Sequence, residues 1–201
     1  MNLRQGIAAL GLDIPDSGVR LLEAYADLIE KWNKVYNLTA IREREKIVSH
    51  HLLDSLSILP HIEADSIADI GSGAGLPGIV LAIARPDWQV TLVESNQKKA
   101  AFLRQAVIEL GLKNVSVLSE RVEAIGERNF GLVVSRAFAE TGEFLRLSGR
   151  LGERFAAMKG QYPEKELAQL PERAVVEAVI PLKVPGLEGE RHLVIMKLEA
   201  D

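Results

Sequence analysis

The sequence of 201 residues contains no cysteine, and it contains no apolar run long enough for a membrane-spanning helix. The absence of cysteine rules out disulfides, zinc-thiolate sites, iron-sulfur clusters and a cysteine nucleophile. The longest apolar run, from Ile79 to Ala84, is far shorter than the roughly 18 residues of a membrane span. The first residues also lack the basic and apolar pattern of a secretion signal. These absences predict a cytoplasmic protein that does not interact with membranes.

The sequence also has no excess of positive charge, since 24 Lys and Arg residues stand against 28 Asp and Glu residues. A protein that coats nucleic acid by general electrostatic attraction needs the opposite balance. A local basic face can still bind phosphate groups. The net charge therefore neither supports nor excludes an RNA substrate.

The first sixty residues have the apolar spacing of helices. Apolar side chains recur every three or four residues after Ser17, which stands at the expected N-cap. A second run with the same period stops at Pro60. We therefore predict a helical N-terminal segment, residues 1–62, packed on a core domain formed by residues 63–201. The two parts are expected to form one compact unit and a monomer.

After Ser66 the pattern changes to short β-rich runs that alternate with helical ones. The β-rich runs, in chain order, are "SIADI", "WQVTLVES", "NVSVLS", "FGLVVSRAF", "RFAAMKG", "VVEAVIPLKV" and "RHLVIMKL". Helical runs separate the first three, a βαβαβ order that predicts a parallel sheet with right-handed crossovers. The last two flank the turn-rich "PGLEGE" and predict a terminal antiparallel hairpin. The predicted fold class is α/β with a mostly parallel sheet.

The stretch "ADIGSGAGLPG", residues 68–78, follows the first predicted strand and can be read in two registers. In one register Asp69 precedes the spaced glycines of a loop that holds S-adenosylmethionine, which are Gly71, Gly73 and Gly75. In the other, Gly73, Gly75 and Gly78 form the Gly-x-Gly-x-x-Gly fingerprint of dinucleotide binding. The first register agrees better with local rules, because the strand then ends before Gly71 and contains no glycine.

Two acidic residues bear on the choice of ligand. Glu94, at the end of the second strand, stands where a carboxylate accepts hydrogen bonds from ribose hydroxyls, so it supports a nucleoside in either register. Asp69 favours S-adenosylmethionine, because a carboxylate there would repel a pyrophosphate but can help to hold an ammonium group. The terminal hairpin is typical of the Rossmann-like class I methyltransferase fold, by analogy of fold alone. A nicotinamide-dependent oxidoreductase remains the alternative, and a tight turn without a ligand is a third interpretation.

Seven blocks of the sequence together resemble the glucose-inhibited division protein B family. They are "WNKVYNLTAIRE", "HHLLDSL", "DIGSGAGLPGIVLAI", "KKAAFLR", "SRAFA", "MKGQYP" and "GERHLVIMK", and they extend from about Lys31 to Lys197. The members of this family are bacterial enzymes that methylate the N7 atom of a guanine in small-subunit (16S) ribosomal RNA. The resemblance implies a seven-stranded class I methyltransferase fold, S-adenosylmethionine as the cofactor, and small-subunit ribosomal RNA or the small ribosomal subunit as the partner.

Carried over by position, the cofactor contacts of the family fall on Gly71, Leu76, Val122, Glu123 and Arg136. The two contacts in the loop agree with the register that the local rules favour. The other three follow later strands, where the resemblance implies an adenine between apolar side chains. Without the resemblance, Glu123 would be interpreted as a solvated charge on a helix surface.

The implied chemistry needs little from the protein beyond alignment. Guanine N7 carries no proton, so its methylation needs no general base, and no catalytic residue is assigned. The absence of cysteine excludes the covalent route to C5 of pyrimidines, and "SRAF" replaces the Asn/Asp-Pro-Pro-aromatic tetrad of exocyclic amine methylation. Arg136 is a candidate for positioning the acceptor through a phosphate, guanine O6 or the cofactor carboxylate. Phe138 is a candidate for stacking on a base, although core packing explains it equally well.

Six basic residues are candidates for a surface that follows the RNA backbone: Lys98, Lys99, Arg104, Arg121, Lys159 and Arg191. Lys159, at a strand end near the expected cleft, is favoured among them. His50 and Asp54 do not predict a metal site, because a third ligand is missing, and are interpreted as part of a helix beside the cleft. An RNA-binding assembly factor without catalytic activity remains a further alternative.

Overall fold

The computed structural model describes residues 1–199, and its centre is a seven-stranded sheet. The strands are β1 (Ser66–Ile70), β2 (Gln89–Val93), β3 (Val115–Leu118), β4 (Leu132–Arg136), β5 (Arg154–Lys159), β6 (Ala174–Pro181) and β7 (His192–Leu198). Their order across the sheet is β3-β2-β1-β4-β5-β7-β6. The first five strands pair in parallel, whereas β7 is antiparallel to both β5 and β6. The predicted mostly parallel sheet with a terminal antiparallel hairpin is confirmed.

Helices precede the sheet and connect its strands. The α-helices of the described residues are α1 (Leu3–Ala9), α2 (Asp16–Tyr36), α3 (Arg44–Ile47), α4 (Asp54–Leu56), α5 (Gly78–Ala84), α6 (Gln97–Glu109), α7 (Thr141–Ser148) and α8 (Glu164–Leu167). Short 3-10 helices span Leu59–His61, Val122–Ala124 and Gly149–Leu151. No helix within residues 1–199 is long and apolar enough to cross a bilayer.

Side chains of the sheet alternate between two buried faces. Ile67 and Val134 pack in the hydrophobic cluster that includes the N-terminal helices, whereas Ala68 and Val133 pack in the cluster on the opposite face. Phe144 of α7 covers this second face. Alternation with a period of two is expected for strands that are covered on both sides. Because β1 to β5 are parallel, their carboxyl ends lie at the same edge of the sheet. This edge lies between the two helical layers.

Helix α2 fixes the N-terminal segment to the sheet. Leu22, Tyr25 and Ile29 are fully buried and recur every three or four residues, so they form one face of the helix. They belong to the same hydrophobic cluster as Val80 of α5 and Ile67 of β1. The N-terminal helices and the sheet thus share one hydrophobic core.

The start of α2 differs from the sequence prediction. Asp16 is the first helical residue, and Pro15 is the N-cap, with an extended backbone and no side-chain hydrogen bond to the helix. The prediction of Ser17 as the cap was wrong, because Pro15 with its φ of −62° starts the first turn without a capping side chain. Asp16 forms an ion pair of 2.6 Å with Arg4 of α1, a helix that the sequence did not reveal.

A π-helix, Val48–Leu53, joins α3 to α4 and interrupts the second N-terminal helical run. The sequence predicted the helical run but not this wider turn. π-helical turns are rare and often lie at functional sites. Here the turn contains His50 and His51, and Asp54 follows it directly.

Candidate active site at the carboxyl ends of the parallel strands

The glycine loop follows β1 and has a backbone that only glycine adopts readily. Gly71, Gly73 and Gly75 have φ angles of 68°, 57° and 92°. At Gly71 a side chain is excluded a second time, because a Cβ atom would lie 2.5 Å from the Phe138 ring. β1 ends at Ile70, so the strand-to-loop boundary agrees with the register Asp69-x-Gly71-x-Gly73-x-Gly75.

Asp69 lies beneath this loop. Its side chain is fully buried, and Oδ2 accepts a hydrogen bond of 2.9 Å from the Gly78 amide at the start of α5. Oδ1 has no hydrogen-bond partner among the described residues. Burial raises the pKa of Asp69 to about 7, against the opposing effect of hydrogen bonds from Gly78 and Ser72. The carboxyl group therefore connects the end of β1 to the start of α5. Its contact with the ammonium group of a cofactor stays a prediction.

Glu94 fixes the other side of the loop. Its Oε2 accepts a hydrogen bond of 2.8 Å from the Gly73 amide, and its Oε1 accepts one of the same length from the Asn96 amide. The carboxylate thus connects the end of β2 to the glycine loop. The expected hydrogen bonds to ribose hydroxyls would have to be shared with these two backbone amides.

A residue that the sequence did not single out closes the loop from the N-terminal segment. The hydroxyl of Tyr25 in α2 donates to the backbone oxygen of Ala74. Tyr25 is fully buried, and this burial raises the pKa of its phenol well above the ordinary value, so the group stays a neutral donor. In the sequence Tyr25 is one more apolar-face residue of an amphipathic helix, and nothing there indicates its partner.

A cavity of about 130 Å³ opens beside Gly71 at the ends of β1 and β2. Its other lining residues include Val93, Val122, Glu123 and Phe138, so the structure brings together residues that the sequence placed in separate motifs. Ser95, Glu120 and Arg121 also line it, and this combination of apolar side chains with carboxylates suits an adenine ring and its amine. The cavity and the glycine loop together fit the adenosine part of S-adenosylmethionine.

Two further residues shape this region. Leu76 is buried in the hydrophobic cluster under the loop. Arg150, which no sequence motif indicates, donates to the backbone oxygens of Val122 and Ile125, the latter at 2.7 Å. These two hydrogen bonds hold the turn that carries Val122 and Glu123 against the cavity.

A second cavity, of about 410 Å³, lies on the other side of the end of β4. Three of the predicted basic and acceptor-side residues line it together, namely Arg136, Lys159 and Arg191. The segment from Arg136 to Phe138 separates the two cavities, since Arg136 lines the larger one and Phe138 the smaller one. Ala137, between them, has a φ of 53°, a left-handed conformation that is uncommon for a residue other than glycine.

Arg136 is held by the N-terminal segment. Its Nη1 donates to the His50 backbone oxygen at 3.0 Å and to Asp54 Oδ2 at 3.1 Å, and its Nη2 lies 3.3 Å from His51 Nδ1. The His51 imidazole also lies 2.8 Å from Thr39 Oγ1. Burial and the nearby Arg136 charge lower the pKa of His51 to about 4, so the ring is neutral near pH 7. The interpretation of this helix as one that packs beside the cleft is confirmed.

Lys159 has acidic and backbone partners within the protein. Its Nζ lies 2.7 Å from Glu166 Oε2 and donates to the Ala139 backbone oxygen at 3.0 Å. Glu166 also accepts hydrogen bonds from the Thr141 amide and hydroxyl. Burial acts to raise the pKa of Glu166, but the hydrogen bonds from Lys159 and Thr141 outweigh it and lower that pKa. Contact of Lys159 with an RNA phosphate stays a prediction.

The remaining basic candidates do not line the larger cavity. Lys98 and Lys99 are in the first turn of α6, next to the carboxyl end of β2, and Arg104 is farther along the same helix. Arg121 precedes a 3-10 turn and lines the smaller cavity. Within residues 1–199 there is no group of three or more His, Asp or Glu side chains that could hold a metal ion.

Comparison with solved structures supports the fold. A methyltransferase from Aquifex aeolicus, described as dependent on S-adenosylmethionine, matches with a TM-score of 0.59. The match covers 87% of this chain and 98% of that chain at 18% sequence identity. The predicted Rossmann-like class I methyltransferase fold is confirmed.

Comparison of sequences identifies the family. The model of the GidB family, described as rRNA small subunit methyltransferase G, matches residues 19–194. A relative from Nitrosospira multiformis is 54% identical in an alignment of 206 positions, which covers 97% of this chain and 95% of the relative. A relative from Neisseria meningitidis is 56% identical over 198 residues, which cover 96% of each chain. Both are named ribosomal RNA small subunit methyltransferase G. The resemblance seen in the seven sequence blocks is therefore confirmed, and the chain belongs to the GidB family.

Proposed function

We propose that this protein transfers a methyl group from S-adenosylmethionine to the N7 atom of a specific guanine in small-subunit (16S) ribosomal RNA. One observation supports this proposal most directly. A cavity suited to adenosine and a larger cavity lined by cations lie on the two sides of the segment from Arg136 to Phe138. A methyl donor on one side and a nucleotide on the other can therefore approach each other at this strand end. Membership of the family supports the same substrate.

The cofactor would be held by the glycine loop and the turn after β3. Gly71 and Leu76 belong to the loop, and Val122 and Glu123 line the smaller cavity beside it. Asp69, Glu94 and Tyr25 keep the loop in place through backbone hydrogen bonds, which lowers the cost of ordering it when a ligand binds. When bound, S-adenosylmethionine supplies a methyl group activated by a sulfonium centre.

The protein needs no general base for this reaction, because guanine N7 has a free lone pair. The residues of the larger cavity need only align guanine N7 with the methyl group and exclude water. Arg136 lines the cavity with partly free donor groups, and Phe138 packs against Gly71 at the boundary between the cavities. We assign to Arg136 and Phe138 the positioning of the acceptor base.

The RNA would follow a basic border around this edge of the sheet. Arg121 lines the smaller cavity, and Lys159 and Arg191 line the larger one. Lys98 and Lys99 lie in the first turn of α6. Arg104 would contact RNA that extends along α6. The protein would act as a monomer in the cytoplasm, with residues 1–62 and 63–201 forming one compact unit.

The proposal is tested with methyl-labelled S-adenosylmethionine and small ribosomal subunits from a strain that lacks the gene. The RNA is digested after the reaction, and the labelled nucleoside is identified. Label in 7-methylguanosine at one position is the expected result. An Arg136→Ala variant should lose most of the activity, whereas Arg154→Ala, which removes an exposed arginine at the amino end of β5, should retain it.

Two other results would refute the proposal. Binding to subunits without transfer of label would indicate an assembly factor without catalytic activity. Tight binding of NADH without binding of S-adenosylmethionine would indicate the oxidoreductase. The position of β1 and the positive φ of Gly71 disfavour this second result, because both agree with the other register.

A further inference from the structure

Asp54 lies between two guanidinium groups that come from distant parts of the chain. Its Oδ2 lies 3.1 Å from Arg136 Nη1, and its Oδ1 lies 3.2 Å from Arg191 Nε. The Asp54 side chain is only 4% exposed, whereas those of Arg136 and Arg191 are 20% and 28% exposed. The contact with Arg136 is a hydrogen bond, whereas the contact with Arg191 is an ion pair, because Asp54 Oδ1 has no hydrogen-bond partner among the described residues. Both arginines line the larger cavity.

The π-helix determines how Arg136 is held. The His50 backbone oxygen, the His51 ring and the Asp54 carboxylate all approach its guanidinium group from the same helical run. Because His51 is buried and neutral near pH 7, it can stand beside the guanidinium group without repelling it. These three contacts from one helical run restrict the rotamer of Arg136.

Both arginines keep donor groups for a ligand. An arginine has five N–H groups. The described residues accept two hydrogen bonds from Arg136 Nη1, and the His51 ring lies near its Nη2. Arg191 donates from Nη1 to the Glu190 backbone oxygen. The remaining N–H groups belong to side chains that line the cavity. With one carboxylate between two guanidinium groups, this part of the cavity has an excess of positive charge.

We propose that Arg136 and Arg191, held in position by Asp54, form a binding site for a backbone phosphodiester of the RNA next to the acceptor guanine. The inference rests on the proposed function and gives the larger cavity a defined ligand. Guanidinium groups bind phosphate through paired N–H groups, so two arginines fixed side by side form a specific site for a single phosphate. The N-terminal segment is then part of the substrate site, because it provides Asp54.

The carboxylate of the bound cofactor is the other anion that could occupy this site. The measurement that separates the two anions is the salt dependence of binding. Each phosphate contact releases counterions, so removing one contact lowers the slope of log affinity against log salt by about one. A contact with the cofactor carboxylate, or an ion pair that only stabilises the fold, leaves this slope for the RNA unchanged.

The experiment measures the dissociation constant for small ribosomal subunits at several salt concentrations, together with that for S-adenosylmethionine. The variants are Arg191→Gln, Arg191→Lys and Asp54→Asn, and Arg154→Gln is the matched control. Arg154 also forms an ion pair with a carboxylate, Glu177, but at the amino end of β5. Because binding is measured without turnover, a failure of methyl transfer in the wild type would refute the proposed function without affecting this test.

We expect Arg191→Gln to weaken binding of subunits about tenfold and to lower the salt slope by about one, with the affinity for S-adenosylmethionine unchanged. Arg191→Lys should keep the slope and recover part of the affinity, because lysine keeps the charge but not the paired N–H groups. Asp54→Asn should also weaken binding of subunits, although it makes the protein more positive. Arg154→Gln should change none of these values.

Three outcomes would overturn the inference. An unchanged slope with weaker binding of S-adenosylmethionine would assign the arginines to the cofactor carboxylate. An unchanged affinity for both ligands with a lower melting temperature would make the cluster a structural ion pair. Tighter binding of subunits by Asp54→Asn would show that net charge, and not the position of the arginines, determines the affinity.

Discussion

The buried carboxyl group of Asp69 should make the stability of this protein depend on pH in a defined direction. The pKa of Asp69 is raised by burial from an ordinary value of 3.8 to about 7 in the folded protein. At pH values below the ordinary pKa, both the folded and the unfolded states are protonated. Between the two pKa values the unfolded state ionises while the folded state keeps its proton, so stability falls as the pH rises. Above the folded pKa both states are ionised, and the loss is complete.

The size of this effect follows from the difference of about three pKa units, at 1.36 kcal/mol for each unit. Ionisation of Asp69 should therefore lower the free energy of unfolding by about 4 kcal/mol as the pH rises through both pKa values. About two-thirds of this decrease falls between about pH 5 and pH 8. Asp69→Asn keeps an acceptor for the Gly78 amide and cannot ionise. Its free energy of unfolding relative to the wild type should thus increase steadily over this range.

The assay is urea denaturation of the wild type and Asp69→Asn at four pH values, without cofactor. Asp87→Asn is a control of opposite sign, because hydrogen bonding to Arg85 lowers the pKa of this exposed carboxyl group. Its contribution is lost only as the pH falls, so the control should be flat between about pH 5 and pH 8. A stability difference between Asp69→Asn and the wild type that does not change with pH would refute the reasoning.

Three further substitutions test the glycine loop, and Gly11→Ala is a control for the first of them. Gly71→Ala should weaken binding of S-adenosylmethionine at least about tenfold by calorimetry, because its Cβ collides with Phe138. Gly11→Ala, with a similar φ but open space, should lower stability by about 1 kcal/mol without changing that affinity, and equal losses of affinity would contradict the steric argument. Tyr25→Phe should lower the free energy of unfolding by about 1 to 3 kcal/mol, because the buried loop carbonyl loses its donor, and an unchanged melting curve would show that this hydrogen bond contributes nothing. Glu94→Gln should raise the Kd for S-adenosylmethionine, since the amide side chain can accept only one of the two backbone hydrogen bonds, and an unchanged Kd would exclude a role in holding the loop.

The positions of the strands along the chain could be predicted from the sequence, because each strand depends on local signals. Apolar runs of β-branched residues, separated by helical periods and turn residues, define β1 to β7 with errors of only a few residues at their ends. The glycine loop could also be predicted, because the spacing of its glycines is visible in the sequence. The structure explains this spacing, since positive φ angles and the close approach of Phe138 both require glycine.

The partners of the polar site residues could not be predicted in this way. Asp54 and Arg136 are 82 residues apart in the chain, and their contact depends on the packing of the N-terminal helices on the sheet. The i, i+4 spacing of His50 and Asp54 placed them on one face but could not indicate what that face meets. The π-helix also has no sequence signal, because its wider turn arises where packing favours it over an α-helix.

The same limit explains the placement of Asp69. A carboxylate beside a glycine loop suggests a contact with a ligand. The residue type alone does not reveal whether the side chain points toward a ligand or into the protein interior. In β1 the alternation of side chains puts it in the interior, where the Gly78 amide is its hydrogen-bond partner. The sequence shows that residue 69 is acidic, but only the tertiary structure shows that its side chain is buried.

The position of β7 in the sheet has a consequence for the order in which the protein matures on the ribosome. β7 lies between β5 and β6, which are both made before it, and within the described residues β6 pairs with no other strand. A nascent chain that has not yet released β7 therefore has an incomplete sheet and an Asp54 carboxylate without Arg191, which immediately precedes this strand. The two arginines can come together only when the final strand is inserted. The substrate site of the protein therefore stays unassembled on the translating ribosome until Arg191 and β7 have been released.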